Sequence, residues 1–395
     1  MKRMMVAVFA SVVMVAACQG AAKTPLKVFI LAGQSNMEGH AQVSTFAVIP
    51  KDPKTAELYK EMVDDQGKPV VCDNVWISYA YGDFGGNPVG RKAGKLTAGW
   101  GSQHHVGSGK IGPEFTFGIT MNKMLGEPIL LIKNAWGGKS LMVDFRPPSA
   151  GALPETASEQ DKANAGKYYA LTMAHVKEVL ADPKRVYPGY DPEAGYEVAG
   201  FVWFQGFNDM VGNYPLVDPA KGRKSIKDYS EYSRLLACFI RDVRKDLQAP
   251  GMPFVTGVLG VDGDKTGEGG MAFRSAMAAP AEMVEFKGNV VNVFTGSYWP
   301  AELDAVLAKA APSKNEMNAK SKAIDAQKLP AAEMKEAKAK LNLEYRANLE
   351  KALTEDELFL LDNGISNQGF HYLGSAKFFG QIGKAFAEVL MGIKE

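Results

Sequence analysis

The chain has 395 residues, enough for one large core, and its 45 Lys+Arg against 44 Asp+Glu leave a formal net charge of +1. That balance excludes the basic excess typical of a nucleic-acid-binding chain. No fixed-period repeat runs through the sequence, which excludes a solenoid or propeller.

Lys2 and Arg3 precede an apolar run from Met4 to Ala17. Spanning a bilayer takes about 20 apolar residues, so this run reads as a secretory h-region. Val15-Ala16-Ala17-Cys18 resembles the lipobox of bacterial lipoproteins, which implies lipidation of Cys18. Residues 1–22 are therefore expected to be a signal and short linker, and 23–395 a single domain carrying an insertion. Export puts the chain in the bacterial envelope, the periplasm or the medium, with a lipid at Cys18 as its expected membrane contact. In that oxidising setting Cys72 and Cys238 remain to pair or stay free, and Cys238, on an amphipathic helix, reads as a buried thiol.

Val28 to Leu31 is a short apolar run ending in Gly33-Gln34-Ser35-Asn36-Met37. It reads as a buried strand with a serine just past its carboxyl end. A polar stretch comes next, with one short helix near 56–62. Val75 to Tyr79 reads as a strand, and the Gly-rich residues 82–112, with Trp100, His104 and His105, as a loop over the sheet edge. Pro113 opens a helix to Leu125. Strands at 128–134, 198–204, 254–259 and 290–294 alternate with helices at 168–180 and 229–247. The second of these is strongly periodic, with Tyr232, Leu235, Leu236, Phe239, Ile240 and Val243 on one face. The alternation predicts an α/β fold, a three-layer α/β/α sandwich around a mainly parallel sheet. Residues 301–361, dense in Ala, Lys, Glu and Leu, predict a helical insertion, a hairpin with a solvated charged face. A closing amphipathic helix comes after His371.

Four short stretches sit at strand ends or helix starts: Gly33 to Met37, Asn134-Ala135-Trp136-Gly137-Gly138, Trp203-Phe204-Gln205-Gly206-Phe207-Asn208-Asp209, and Gly369-Phe370-His371-Tyr372. Each alone also reads as a turn or a structural histidine. Parallel strands bring their carboxyl ends to one edge, where residues distant in sequence meet. In this order the stretches resemble the carbohydrate-esterase branch of the SGNH hydrolases, which includes sialate O-acetylesterases and acetylxylan esterases. The resemblance runs from about residue 26 to 392, outside the insertion, and implies a flavodoxin-like fold.

By position, the resemblance implies Ser35 as nucleophile and His371 as general base. It implies the Ser35 N–H, a glycine of Gly137-Gly138 (taken as Gly138) and the Asn208 side chain as oxyanion donors. An ester carbonyl needs those three functions whatever the family. Gln34, Gln205 and Trp136 are expected near substrate, with Trp100 and Trp136 as stacking faces. No metal or cofactor is implied, and His104 and His105 read as a surface loop. One position departs from the family pattern: the Asp expected three residues before the histidine is Gln368. Orientation of His371 then falls to the Gln368 amide or to a carboxylate, Asp362, Asp209 or Glu114, or a Ser–His dyad suffices for an activated acetyl ester. The implied activity is hydrolysis of acetyl esters on a sugar, sialic acid or plant- or algal-type polysaccharide. The alternative is a glycan-binding lipoprotein without turnover.

Overall fold

The structure is a computed structural model and describes residues 23–103 and 109–393. The expected signal segment with Cys18, and the pair His104-His105, lie outside the described residues. Strand β1 (Leu26–Gly33) is apolar along nearly its whole length, as a strand covered on both faces requires. The other strands are β2 (Ala41–Gln42), β3 (Val75–Gly82), β4 (Pro88–Lys95), β5 (Lys110–Ile111), β6 (Ile129–Ala135), β7 (Tyr196–Phe204), β8 (Phe254–Val258) and β9 (Val290–Phe294). Seven form one sheet in the order β4-β3-β6-β1-β7-β8-β9, while β2 and β5 pair separately. Every pairing in the large sheet is parallel except β3 with β4.

Side chains alternate between the faces of a strand, so β7 sorts the helices. Phe201 and Trp203 meet Phe239 on the helix Ser230–Asp246, with ring centroids 5.8 and 4.3 Å apart. Phe204, of opposite parity, meets Phe386 on the helix Ala376–Gly392 at 5.6 Å. Helices thus cover both faces, in the three layers that the alternation predicts. Cys238 is buried in the Ser230–Asp246 helix, and both it and Cys72 are free thiols.

Residues 88–95 depart from the expected loop. They form an antiparallel edge strand whose burial pattern shows no buried residue. Pro88, Gly90 and Gly94 disguise it in the sequence, and its charged side chains suit an edge that must not recruit another strand. The helical insertion is present as two long helices, Ala301–Ala326 and Ala331–Ala352, followed by Glu355–Gly364. A small cluster of Val306, Ala310, Leu349 and Leu353 packs the base of this arm. The third helix begins with a capping box in which Thr354 and Glu357 bond each other's backbone N–H.

A buried polar chain pins the helix Lys167–Ala181 to the sheet. Ser78 Oγ lies 2.9 Å from His175 Nε2, and His175 Nδ1 lies 2.7 Å from Asn134 Oδ1. Burial, helped by Arg91, pushes the His175 imidazole down to about 4 from an ordinary 6.5. As the pH falls, the unfolded chain therefore takes up this proton first. The stability that neutral His175 contributes is full above its unfolded value and is lost as the pH drops toward its folded one. The loss is about 3 kcal/mol in total. Urea midpoints at about pH 7 and about pH 4 check this: the native protein should lose that much more than His175→Gln.

Candidate active site

Gly33 on β1 lies opposite Ala135 on β6 and Phe204 on β7. The three strands end level, so the loops leaving them emerge on the same rim. Ser35 comes just after β1, Gly137 and Gly138 just after β6, and Asn208 just after β7. The rim is also the point where strand order reverses, because β6 and β3 lie on one side of β1 and β7 and β8 on the other. Gly33 is required there, since a Cβ would sit 2.1 Å from the Phe204 carbonyl oxygen. Ser35 opens the helical turn Ser35–Glu38, closed by the Met37 and Glu38 N–H groups on Gln34 O at 2.8 and 2.9 Å. The first N–H groups of a helix have no acceptor within it, so the Ser35 N–H is not spent in the turn.

Gln34 and Gln205 lie beneath this rim, 1% and 2% exposed, and do not line the cleft as expected of substrate contacts. Gln34 Oε1 accepts from Gln205 Nε2, Gly206 N and Asn208 N at 3.1, 3.1 and 3.2 Å. Gln34 Nε2 donates to Asn208 Oδ1 at 2.8 Å. That bond turns the Asn208 amide oxygen inward and keeps its Nδ2 donor for the cleft that Asn208 lines. Asp209 accepts from Leu141 N, Met142 N, Gln205 Nε2 and Tyr214 Oη at 2.7, 3.0, 2.6 and 2.9 Å. It ties the loop after β6 to the helix after β7. Burial outweighs these four donors and raises its carboxyl above the usual carboxylate range.

His371 arrives on the turn Gly369–Gly374, beyond the arm. Tyr372 and Leu373 have φ of 52° and 59°, the left-handed region that non-glycine residues avoid. Surrounding bonds hold them there: Tyr372 Oη accepts from Gly260 N at 2.8 Å, and the Ser366 and Asn367 N–H groups meet Leu373 O at 2.8 and 3.0 Å. This reversal brings Asn367 against the imidazole. Asn367 Oδ1 lies 3.0 Å from His371 Nδ1 and accepts from Gln368 N at 2.8 Å.

The group facing His371 Nδ1 is therefore Asn367, not Gln368, Asp362, Asp209 or Glu114. Gln368 lines the cleft, but its neighbour makes the bond. Asp362 is exposed on the arm, where both oxygens accept from Arg346 Nη1 at 2.9 and 2.7 Å. Asp209 is occupied by its four donors. Glu114 is buried against Lys133 at 2.7 Å. An amide oxygen fixes the proton on Nδ1 and leaves the Nε2 lone pair, but it carries no charge to balance an imidazolium.

Ser35, Gly138, Asn208 and His371 line one cleft of about 530 Å³, within the range of small-molecule sites. Asn36 Nδ2 donates to Phe370 O at 3.2 Å, tying the serine turn to the histidine turn. Gly138 has a φ of 73°, a conformation that favours glycine. Trp136 is 2% exposed and packs on Phe145 and Tyr168, and Trp100 is 8% exposed, so neither offers the expected stacking face. The aromatic walls are instead Phe84, 88% exposed, with Phe207 and Phe370, whose rings lie 5.6 Å apart. Among the described residues no three His, Cys, Asp or Glu side chains gather as metal ligands. Ser78, His175 and Asn134 repeat the Ser–His–amide order inside the core. That set sits mid-strand, where β3 pairs on both sides, and its Ser78 and His175 line a separate cavity of about 170 Å³.

Residues 25–292 match the family model described as carbohydrate esterase, sialic acid-specific acetylesterase. The chain belongs to that carbohydrate-esterase family. The match to the esterase model ends before the arm, so His371 lies beyond it. The sequence matches none of the curated proteins compared with it. The solved structures that this esterase resembles include these two. One is a protein from Arabidopsis thaliana, 17% identical, covering 69% of this chain and 86% of that one with a TM-score of 0.37. The other is a carbohydrate acetylesterase from Xanthomonas citri, 13% identical, covering 67% of this chain and 49% of that one with a TM-score of 0.38.

Proposed function

We propose that this chain is a serine esterase that removes acetyl groups from sugar hydroxyls, on sialic acid or on a plant- or algal-type polysaccharide, through an acetyl-Ser35 intermediate. The observation that carries the reading is the meeting of Ser35, Gly138, Asn208 and His371 in one cleft. His371 Nε2 takes the proton of Ser35 Oγ as the oxygen adds to the acetyl carbonyl. The carbonyl oxygen becomes an oxyanion, stabilised by the Ser35 and Gly138 N–H groups and by Asn208 Nδ2. Each such donor is worth about 10²–10³ in rate. Collapse breaks the bond to the sugar oxygen, which leaves with the proton from His371. Water then adds to the acetyl-serine, gives its proton to His371, and collapse releases acetate and returns the proton to Ser35. Substrate reaches this site after export, with the lipid at Cys18 as the tie to the membrane.

An alkyl fluorophosphonate tests the assignment. Its phosphorus should bond Ser35 Oγ with loss of fluoride, read by peptide mass mapping. Label on Ser78, or no label despite hydrolysis of a chromogenic acetate, overturns it. The neutral amide at His371 favours the second reading, glycan binding without turnover. Retention on a glycan column with neither label nor hydrolysis would establish that one.

A further inference from the structure

We propose that Glu38 and His40 act as positioning residues that supply the His371 imidazolium with the negative charge its own neighbour lacks, through Asn367. This rests on the reading of Ser35 as nucleophile and His371 as base. His40 stacks face to face on His371, with ring centroids 3.9 Å apart and planes 4° from parallel. Asn367 stands between the two rings' Nδ1 atoms, with Oδ1 3.0 Å from His371 and Nδ2 3.5 Å from His40. On the far side, His40 Nε2 lies 3.5 Å from Glu38 Oε2.

These contacts select one consistent set of protons. His371 carries its proton on Nδ1, because Asn367 presents an oxygen to it. His40 carries its proton on Nε2, because Asn367 presents an N–H to its Nδ1 and Glu38 presents an oxygen to its Nε2. Hydrogen bonds then run acceptor to donor from His40 through Asn367 to His371, and the Glu38 carboxylate stands at ion-pair range beyond His40 Nε2. Hydrogen bonds in series polarise one another in a buried setting. When His371 takes the serine proton, the positive charge finds a carboxylate three contacts away and a neutral aromatic face directly beneath it.

Glu38 is 1% exposed and is held for this task. Its Oε1 accepts from Gly137 N at 3.2 Å, and its backbone oxygen accepts from Lys133 Nζ at 2.8 Å. Among the described residues, the charged or titratable groups facing Glu38 include His40, Lys110, Lys133 and Tyr79. His40 and Asn367 face His371.

The test uses the full chain, with pH profiles of kcat/KM for a chromogenic acetate and of Ser35 phosphonylation. Glu38→Gln keeps an oxygen for Gly137 but removes the charge. Its plateau should fall roughly tenfold to a hundredfold, and its acid limb should move about one pH unit lower, because the imidazolium is less stabilised. Asn367→Asp puts a carboxylate directly on His371. Combined with Glu38→Gln it should restore most of the lost rate and move the limb back up. An unmoved limb, with no rescue by Asn367→Asp, reduces Glu38 to a structural role and overturns the inference while Ser35 and His371 stand. If Glu38→Gln does not fold, His40→Gln cuts the chain one link nearer and carries the same expectations. A native protein that neither hydrolyses the ester nor takes the label overturns the underlying reading and the inference with it.

Discussion

Replacing Ser35 by Ala is expected to lower kcat/KM for an acetyl ester on the order of 10⁵–10⁶-fold. The unfolding midpoint should correspond to a change within about 0.5 kcal/mol. The two halves of this result are separable because the serine turn is closed by backbone bonds, Met37 and Glu38 N–H to Gln34 O and Gly39 N–H to Ser35 O. None of them uses the hydroxyl. His371→Ala should cost a similar factor, and the double variant should be no worse than either single one, since nucleophile and base act as a unit. Steady-state kinetics with a chromogenic acetate, beside urea unfolding, checks both halves. Turnover that survives Ser35→Ala would move the chemistry elsewhere and overturn the assignment.

The second large effect is on stability. Lys133 and Glu114 are fully buried, with Nζ 2.7 Å from Oε2. Lys133 also donates to the carbonyls of Glu38 and Trp100 at 2.8 Å each, while Glu114 Oε1 accepts from Gly112 N at 2.9 Å. Burial pushes the Lys133 ammonium down, and Glu114 pulls it back toward the charged form. Lys133→Met removes the cation and strands a carboxylate and two carbonyls in the core. The expected cost is about 3–5 kcal/mol. Glu114→Leu with Lys133→Met removes both charges, and should be less destabilised than Lys133→Met alone. Denaturant unfolding at neutral pH measures both. A single variant as stable as the native protein would show that the pair does not bear on the rim. Because Lys133 holds the backbone of Glu38, Lys133→Met should also lower esterase activity in whatever fraction stays folded.

The strands and helices of the sandwich were legible because both faces of the sheet are covered. Strands such as Phe254–Val258 are then short runs buried at every position, and helices such as Ser230–Asp246 show one strong stripe. Strand β4 was not legible, because a strand with no buried face has no alternation to read. Ser35, Gly138, Asn208 and His371 could be named from motif order, and the level strand ends explain why they meet. Asn367 could not. Which residue near a histidine faces Nδ1 depends on the chain reversal at Tyr372 and Leu373, and two adjacent left-handed non-glycine residues leave no mark in composition. Trp136 misled for a plain reason: a large aromatic beside a glycine pair reads as a platform, whereas here it fills the core against Tyr168. Glu38 and His40 lie just past Gly33 to Met37, and no motif marks them, because the serine already accounts for that turn.

The arm changes character along its length. Its buried side chains, Leu303, Val306, Ala310, Leu341, Leu349 and Leu353, fall short of the tip. Nearer the tip than Leu341, the two helices are joined by the partly exposed Lys338, which pairs with Asp325 and donates to Ser321 O and Oγ. Surface ion pairs weaken with dissolved salt, and apolar contacts do not. The outer end of the arm therefore answers to ionic strength, and a change of buffer that leaves the sandwich untouched can alter how stiffly this lever stands away from it.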